Sequence, residues 1–144
     1  MSYQEMKASV ELLPAQAPKF ETERFVVVPL GPEPARDLLN VLLQDERLAG
    51  QLPWMVEKSA DGACKEAFLI GLQCAAETTL VWGIVERARS AYIGAVLARS
   101  TLEGLDVEVL CASQFWNQGV ADEAGLPVAD WLEEHAAVEL VPAA

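Results

Sequence analysis

Asp106-Val107-Glu108-Val109-Leu110-Cys111-Ala112-Ser113-Gln114-Phe115-Trp116-Asn117-Gln118-Gly119-Val120-Ala121-Asp122-Glu123 is the stretch that decides the fold. Its first part alternates. Val107, Val109 and Cys111 fall on one face of an extended segment, and Asp106, Glu108 and Leu110 on the other, the period of a half-buried strand. A polar turn at Ser113 and Gln114 follows, then the aromatic pair Phe115-Trp116. From about Gly119 the pattern predicts a helix running towards His135. A strand delivering its chain into a helix start can make an anion cradle, because the first turn leaves N–H groups unpaired and presents the positive end of the dipole. Gly119 and Ala121 have little or no side chain to keep a phosphate oxygen away. Strand-turn-helix junctions with one glycine are common, and most bind nothing.

The run Phe115 to Ala124, Phe-Trp-Asn-Gln-Gly-Val-Ala-Asp-Glu-Ala, resembles the acetyl-CoA signature of the GNAT N-acetyltransferases. The branch it most resembles includes the ribosomal-protein alanine acetyltransferases. Trp116, Gln118, Gly119, Ala121, Glu123 and Ala124 keep that pattern. Asn117 and Asp122 depart from it, standing where Gly and Thr are usual. A separate match lies upstream: Glu21-Thr22-Glu23-Arg24-Phe25 through Pro29-Leu30 is similar to the opening of the same branch. Tyr92-Ile93-Gly94 resembles a step in the family's third strand.

The resemblance implies acetyl-CoA as co-substrate and a primary amine, small molecule or peptide, as acceptor. The amides of Gln118, Gly119, Val120 and Ala121 would take the pyrophosphate, with Trp116 and Asn117 also counted as coenzyme-binding. Backbone groups of Leu110, Cys111 and Ala112 would pair with the pantetheine arm, and a bulge near Leu110 or Cys111 would free an N–H for the thioester oxygen. Glu108 and Asp106 share a strand face and are candidates for the general base; the alternative is plain acidic surface. Trp54, in Leu52-Pro53-Trp54, would stand near the acceptor pocket or fold onto the core. Cys111 reads as core packing rather than a nucleophile, and His135 as a cation at a helix C-terminus. A degenerate relative that binds CoA weakly or not at all, serving as an interaction module, is the competing reading.

Composition bounds these expectations. With 144 residues, 52% hydrophobic and 22% charged, the chain suits one folded domain. A net charge of −12 argues against a nucleic-acid or anionic-membrane surface. Three cysteines without metal-like spacing and a single histidine argue against a zinc site or a disulfide framework. No apolar run approaches a membrane span, and cytoplasm is the default.

In order, residues 1–20 read as an extension with one short strand, and 21–144 as a single GNAT-like domain. Phe25 to Val28 is the first firm strand. Pro32 and Pro34 open a helix whose stripe is Ala35, Leu38, Leu39, Leu42 and Leu43. Asp45 to Gln51 reads as a break or short helix. Ser59 caps a helix over Ala60 to Ala76, with Ala63, Ala67, Phe68, Ile70 and Leu72 as its contacts. Thr78 to Glu86 and Ala91 to Ala98 read as a hairpin. The class is α+β: a mixed, mostly antiparallel twisted sheet flanked by helices, whose fourth and fifth strands the resemblance implies should splay apart. Gly125 and Pro127 depart from the family's helix, and Pro127 should cost it a hydrogen bond. The sequence reaches Val138-Glu139-Leu140 where the family's fifth strand would finish, so its C-terminal quarter is expected to be missing, and with it the acid often supplied there. A homodimer, or strand exchange, is expected to cover the open sheet edge.

Overall fold

The computed structural model describes residues 9–12, 16–135 and 137–140. Seven strands are described: β1 (Ser9–Leu12), β2 (Phe20–Glu21), β3 (Phe25–Leu30), β4 (Thr79–Glu86), β5 (Ala91–Thr101), β6 (Gly104–Cys111) and β7 (Ala137–Leu140). The helices are α1 (Pro32–Leu42), α2 (Glu46–Gly50), α3 (Ala60–Ala75) and α4 (Val120–His135). Strands β2 to β6 form one sheet in sequence order, antiparallel at every described pairing. This is the α+β architecture expected. Strands β6 and β7 do not pair; β7 runs antiparallel to β1 in a separate two-stranded sheet.

Each face of the main sheet has its own core. On one, Ala35, Leu39, Leu42 and Leu43 from the first helical stretch and Ala63, Ala67 and Ile70 of α3 pack on Val81, Ala95, Leu97 and Leu110. On the other, Val120, Ala124, Val128 and Leu132 of α4 pack on Phe25, Val27, Ile84, Val96 and Cys111. The alternation read in β6 is therefore real, because both faces are covered and odd and even residues serve different helices. Trp82 anchors the second core: Trp131 and Phe20 meet its ring, and its indole N–H donates to the Pro18 carbonyl at 2.9 Å.

Several expectations need correcting. Phe68 and Leu72 are about half exposed, because α3 turns its small residues towards the sheet and leaves these two on the outer flank. Strand β5 continues to Thr101, and β6 begins at Gly104. The bulge lies between β4 and β5, where Ile84 pairs with Gly94 and Val85 with Tyr92, so Ile93 is the extra residue. The β5–β6 register runs unbroken from Thr101↔Gly104 to Gly94↔Cys111, with no bulge at Leu110 or Cys111. Pro127 sits inside α4, which is helical from Val120 to His135, and without an N–H it leaves one helical hydrogen bond unmade, as expected. The departure at Gly125 has a packing reason, since a Cβ there would come 2.8 Å from Val109 Cγ2.

Candidate functional site

The chain leaves β6 through a 3-10 turn, Ser113–Phe115, and enters α4 through two left-handed residues, Asn117 at φ 67° and Gly119 at φ 74°. Asparagine is among the non-glycine residues that best tolerate this conformation. Asn117, standing where the resembled pattern has Gly, therefore suits the left-handed conformation it adopts here. The Glu123 N–H returns to the Gly119 carbonyl at 3.1 Å, which makes Gly119 the residue capping the helix. The amides of Val120, Ala121 and Asp122 precede the first intrahelical donor and have no intrahelical acceptor. They border a cavity of about 390 Å³ lined by Gln51, Cys111, Phe115, Trp116, Asn117, Gly119, Val120, Ala121 and Asp122. Asp122 stands at the same helix start, so its carboxylate competes for the dipole that would attract a phosphate.

The two upstream and downstream sequence matches meet here. Glu123 Oε2 accepts from Thr22 Oγ1 at 2.6 Å and from the Arg24 N–H at 2.9 Å, while Oε1 accepts from Arg24 Nε at 2.6 Å. A carboxylate bridging residues 22, 24 and 123 ties the first turn of α4 to the β2–β3 turn. Residues about a hundred apart in sequence are thus parts of one joint.

Cys111, the last residue of β6, lines the cavity. The Ala112 N–H donates to the Ile93 carbonyl at 2.9 Å, so it is committed to β5. Antiparallel alternation turns the Leu110 groups towards β5 as well, and those of Val109 and Cys111 outward. The Cys111 carbonyl accepts from the Trp116 indole at 2.9 Å. Of the three residues expected to pair with the pantetheine arm, only Cys111 directs backbone groups to the open edge, and its N–H is the one not matched by that indole. Burial pushes the Cys111 thiol up to about 11, assisted by the Asp45 charge, so at neutral pH it is a protonated packing group.

Trp54 and Glu108 are brought together on the opposite face. The Trp54 indole N–H lies 3.1 and 3.2 Å from the two Glu108 carboxylate oxygens. Arg99 completes the group, with its guanidinium 4.9 Å above the Trp54 ring and 3.9 Å from Glu108 Oε1. Among the described residues its buried Nε has no hydrogen-bond partner. Asp106 is exposed and pairs in register with Arg99 across the strands. The loop carrying Trp54 is held by Lys58, whose ammonium donates to the carbonyls of Ala49, Leu52 and Met55 at 3.0, 3.0 and 2.8 Å. Neither Arg99 nor Lys58 belongs to a sequence motif: Arg99 meets Trp54 across the fold, and Lys58 closes its own loop onto carbonyls three to nine residues back. His135 stacks on Trp131 with Nδ1 3.0 Å from the Trp131 carbonyl, at the end of its helix as expected.

The stretch Asp45 to Gln51, expected as a break or a short helix, holds the short helix α2, and Asp45 both caps it and joins it to the turn after β6. Its carboxylate accepts from the Arg47 and Leu48 amides and from the Ser113 N–H and hydroxyl. Burial would raise its pKa, but the hydrogen bonds from Ser113, Leu48 and Arg47 outweigh that and hold it below the usual aspartate value. Glu123 is likewise lowered: burial opposes ionisation, and Thr22 and Arg24 overcome it. Carboxyls depressed in the folded state stabilise it wherever they are ionised. The contribution is complete above the unfolded values of about 4 and is lost as pH falls through the lowered folded ones. Thermal melts should therefore drop steeply below about pH 4, and an Asp45→Asn/Glu123→Gln double variant should be less stable at pH 7 with a shallower acid limb. Parallel acid limbs would refute the assignment.

Residues 24–143 match the family model described as an acetyltransferase (GNAT) domain. No curated protein matches the chain in sequence. Among solved structures, it is similar to ribosomal-protein-S5-alanine acetyltransferase from Vibrio fischeri, with a TM-score of 0.59 and 16% identity over 82% of this chain and 68% of that one. A GNAT-family acetyltransferase from Bacillus anthracis gives 0.57 and 10% over 81% and 67%. A GCN5-related N-acetyltransferase from Brucella melitensis gives 0.59 and 11%, covering 88% of this chain and 58% of its own. Identities this low speak for the fold alone. With the family model running through most of its length, the chain belongs to the GNAT acetyltransferase family.

Proposed function

We propose that the protein is an acetyl-CoA-dependent N-acetyltransferase acting on a primary amine of a small molecule or peptide. The observation that carries this reading is the helix start at Gly119. Its backbone is left-handed, it has no side chain, and amides without an intrahelical acceptor border a cavity beside Cys111, at the end of a strand that pairs on one side only among the described residues. A coenzyme diphosphate fits such a place, because the N–H groups are fixed before binding and need no reorganisation. Gln118, Gly119, Val120 and Ala121 would hold it, with Trp116 and Asn117 at the rim and Cys111 of β6 offering a backbone N–H to the pantetheine arm. Leu110 and Ala112 would shape that edge rather than donate to it.

The coenzyme supplies an activated acetyl thioester. The chain's own part is to align the acceptor and to take a proton from its ammonium so that the nitrogen lone pair can attack. Glu108 is the group proposed for that proton, directly or through one water, with Trp54 beside it on the acceptor side. Asp106 is the weaker candidate, being exposed and paired in register with Arg99. Tyr92 is about half exposed on β5, and Tyr3 lies outside the described residues. The proposal extends to cytoplasmic action and to a homodimer, supported by the outer edge of β6, which no strand pairs with among the described residues. Sedimentation equilibrium checks the dimer, and a monomer at micromolar concentration would refute it.

A second reading, a family member that no longer turns over, is favoured by Asp122 at the cradle and by the engagement of both Glu108 oxygens with Trp54. One experiment separates the two. Acetyl-CoA at a hundredfold excess over its Kd should stabilise the chain by about 2.7 kcal/mol in thermal denaturation. Addition of a panel of primary amines should then release free thiol. Stabilisation without thiol release would favour a silent member that still binds the coenzyme, and no stabilisation by acetyl-CoA or CoA would remove both the enzyme and the coenzyme binder, leaving the non-binding interaction module.

A further inference from the structure

The α4 start carries two acids, Asp122 and Glu123, in a chain of net charge −12. Both would repel a diphosphate. Against them stands one guanidinium whose position is fixed by bonds to the same helix. Arg24 Nε donates to Glu123 Oε1 at 2.6 Å, and its own backbone N–H and the Thr22 hydroxyl hold the other oxygen. Packing over the Phe25 ring at 4.8 Å restricts the guanidinium further. Its Nη2 comes within 3.6 Å of the place a Gly119 Cβ would occupy, on the flank of the cradle. The side chain remains 43% exposed, so it is not sealed off from a ligand at the neighbouring helix start.

We propose that Arg24 is a diphosphate-specificity residue: it cancels the Glu123 charge and keeps its remaining guanidinium donors beside the Gly119 amides. The inference rests on the coenzyme reading above and deepens it. Guanidinium suits the task because it stays charged and keeps several donors in one plane after Nε is committed to Glu123. Thr22 and Glu123 act as positioning residues, holding that plane at the helix start.

Isothermal titration of the full chain with CoA, 3′-dephospho-CoA and pantetheine tests it. For Arg24→Gln, affinity for CoA and dephospho-CoA should each fall about tenfold at low salt and much less at about 0.5 M, while pantetheine changes less than about twofold. Glu123→Gln keeps an acceptor oxygen but removes the opposing charge, so it should bind CoA as tightly as wild type or tighter. The double variant Arg24→Gln/Glu123→Gln should recover to within about threefold of wild type, since the local charge balance is restored. A purely mechanical joint predicts otherwise: equal losses for all three ligands, weaker binding in Glu123→Gln and no recovery in the double variant. That pattern, or no change in Arg24→Gln, overturns the inference. Should Arg24→Gln fail to fold, Glu123→Gln alone decides through the sign of its effect. Failure of wild type to bind CoA would instead strike the coenzyme reading.

Discussion

Gly94→Ala is expected to lower folding stability by about 3 kcal/mol or more and to remove coenzyme binding with it. A Cβ at that position would stand 2.4 Å from the Leu110 carbonyl oxygen, 3.2 Å from Cys111 Cα and 3.3 Å from Ile84 Cδ1. Two of these are backbone atoms of the neighbouring strand, paired in a register unbroken along β6. Rotamer changes cannot relieve such a contact; either β6 moves away or the bulge at Ile93 opens. Both shift Cys111, whose outward backbone groups face the cavity, so stability and binding should fall together. The control is Gly50→Ala at the end of α2, where nothing lies within 4 Å and alanine is the better helix former. Urea denaturation of the two variants measures the difference. A Gly94→Ala midpoint indistinguishable from wild type would mean that the strands are not this close.

The same glycine shows what could be read from residues in sequence. Tyr92-Ile93-Gly94 was matched only as a pattern; its cause is a cross-strand approach that involves Leu110, sixteen positions on, and no local rule reveals it. The elements themselves were legible because their signals are local. Ser59 caps α3 through the Gly62 N–H, Pro32 starts α1, and the alternation in β6 reflects cores on two faces. Errors fell where a local signal is silent about which neighbour wins. Phe68 and Leu72 have helical spacing, yet the sheet is met by the small residues beside them. The bulge was expected in β6 and stands in β5, since pairing is a property of two strands together. At the candidate site, the cradle was readable from Gly119 and its small neighbours. The Asp45–Ser113 and Arg24–Glu123 joints were not, because each is a side-chain bond closed by tertiary packing.

Glu108→Gln is the substitution with the largest expected effect on turnover. If Glu108 takes the ammonium proton, the amide cannot, and kcat should fall by about a hundredfold or more, the usual contribution of a positioned general base. The amide oxygen still accepts the Trp54 indole N–H, so the loop should stay in place and the melting temperature should change little. Coenzyme affinity should also hold, since the cradle lies at the far end of β6. Trp54→Phe separates the two roles of the pair: it keeps an aromatic face for Arg99 and leaves Glu108 its charge, but removes the hydrogen bond. Its expected signature is a raised KM for the acceptor with kcat within about tenfold of wild type, because uniform binding is lost rather than proton transfer. Asp106→Asn should remain within about twofold in both constants, as expected of an exposed surface acid. Steady-state thiol release with any accepted amine, read alongside thermal melts, resolves these cases. A Glu108→Gln enzyme with wild-type kcat would sink the base assignment and leave Glu108 as a strut for Trp54. A variant that loses kcat and stability in proportion would point to the strut alone, because a base removed from a folded site costs rate without costing the fold.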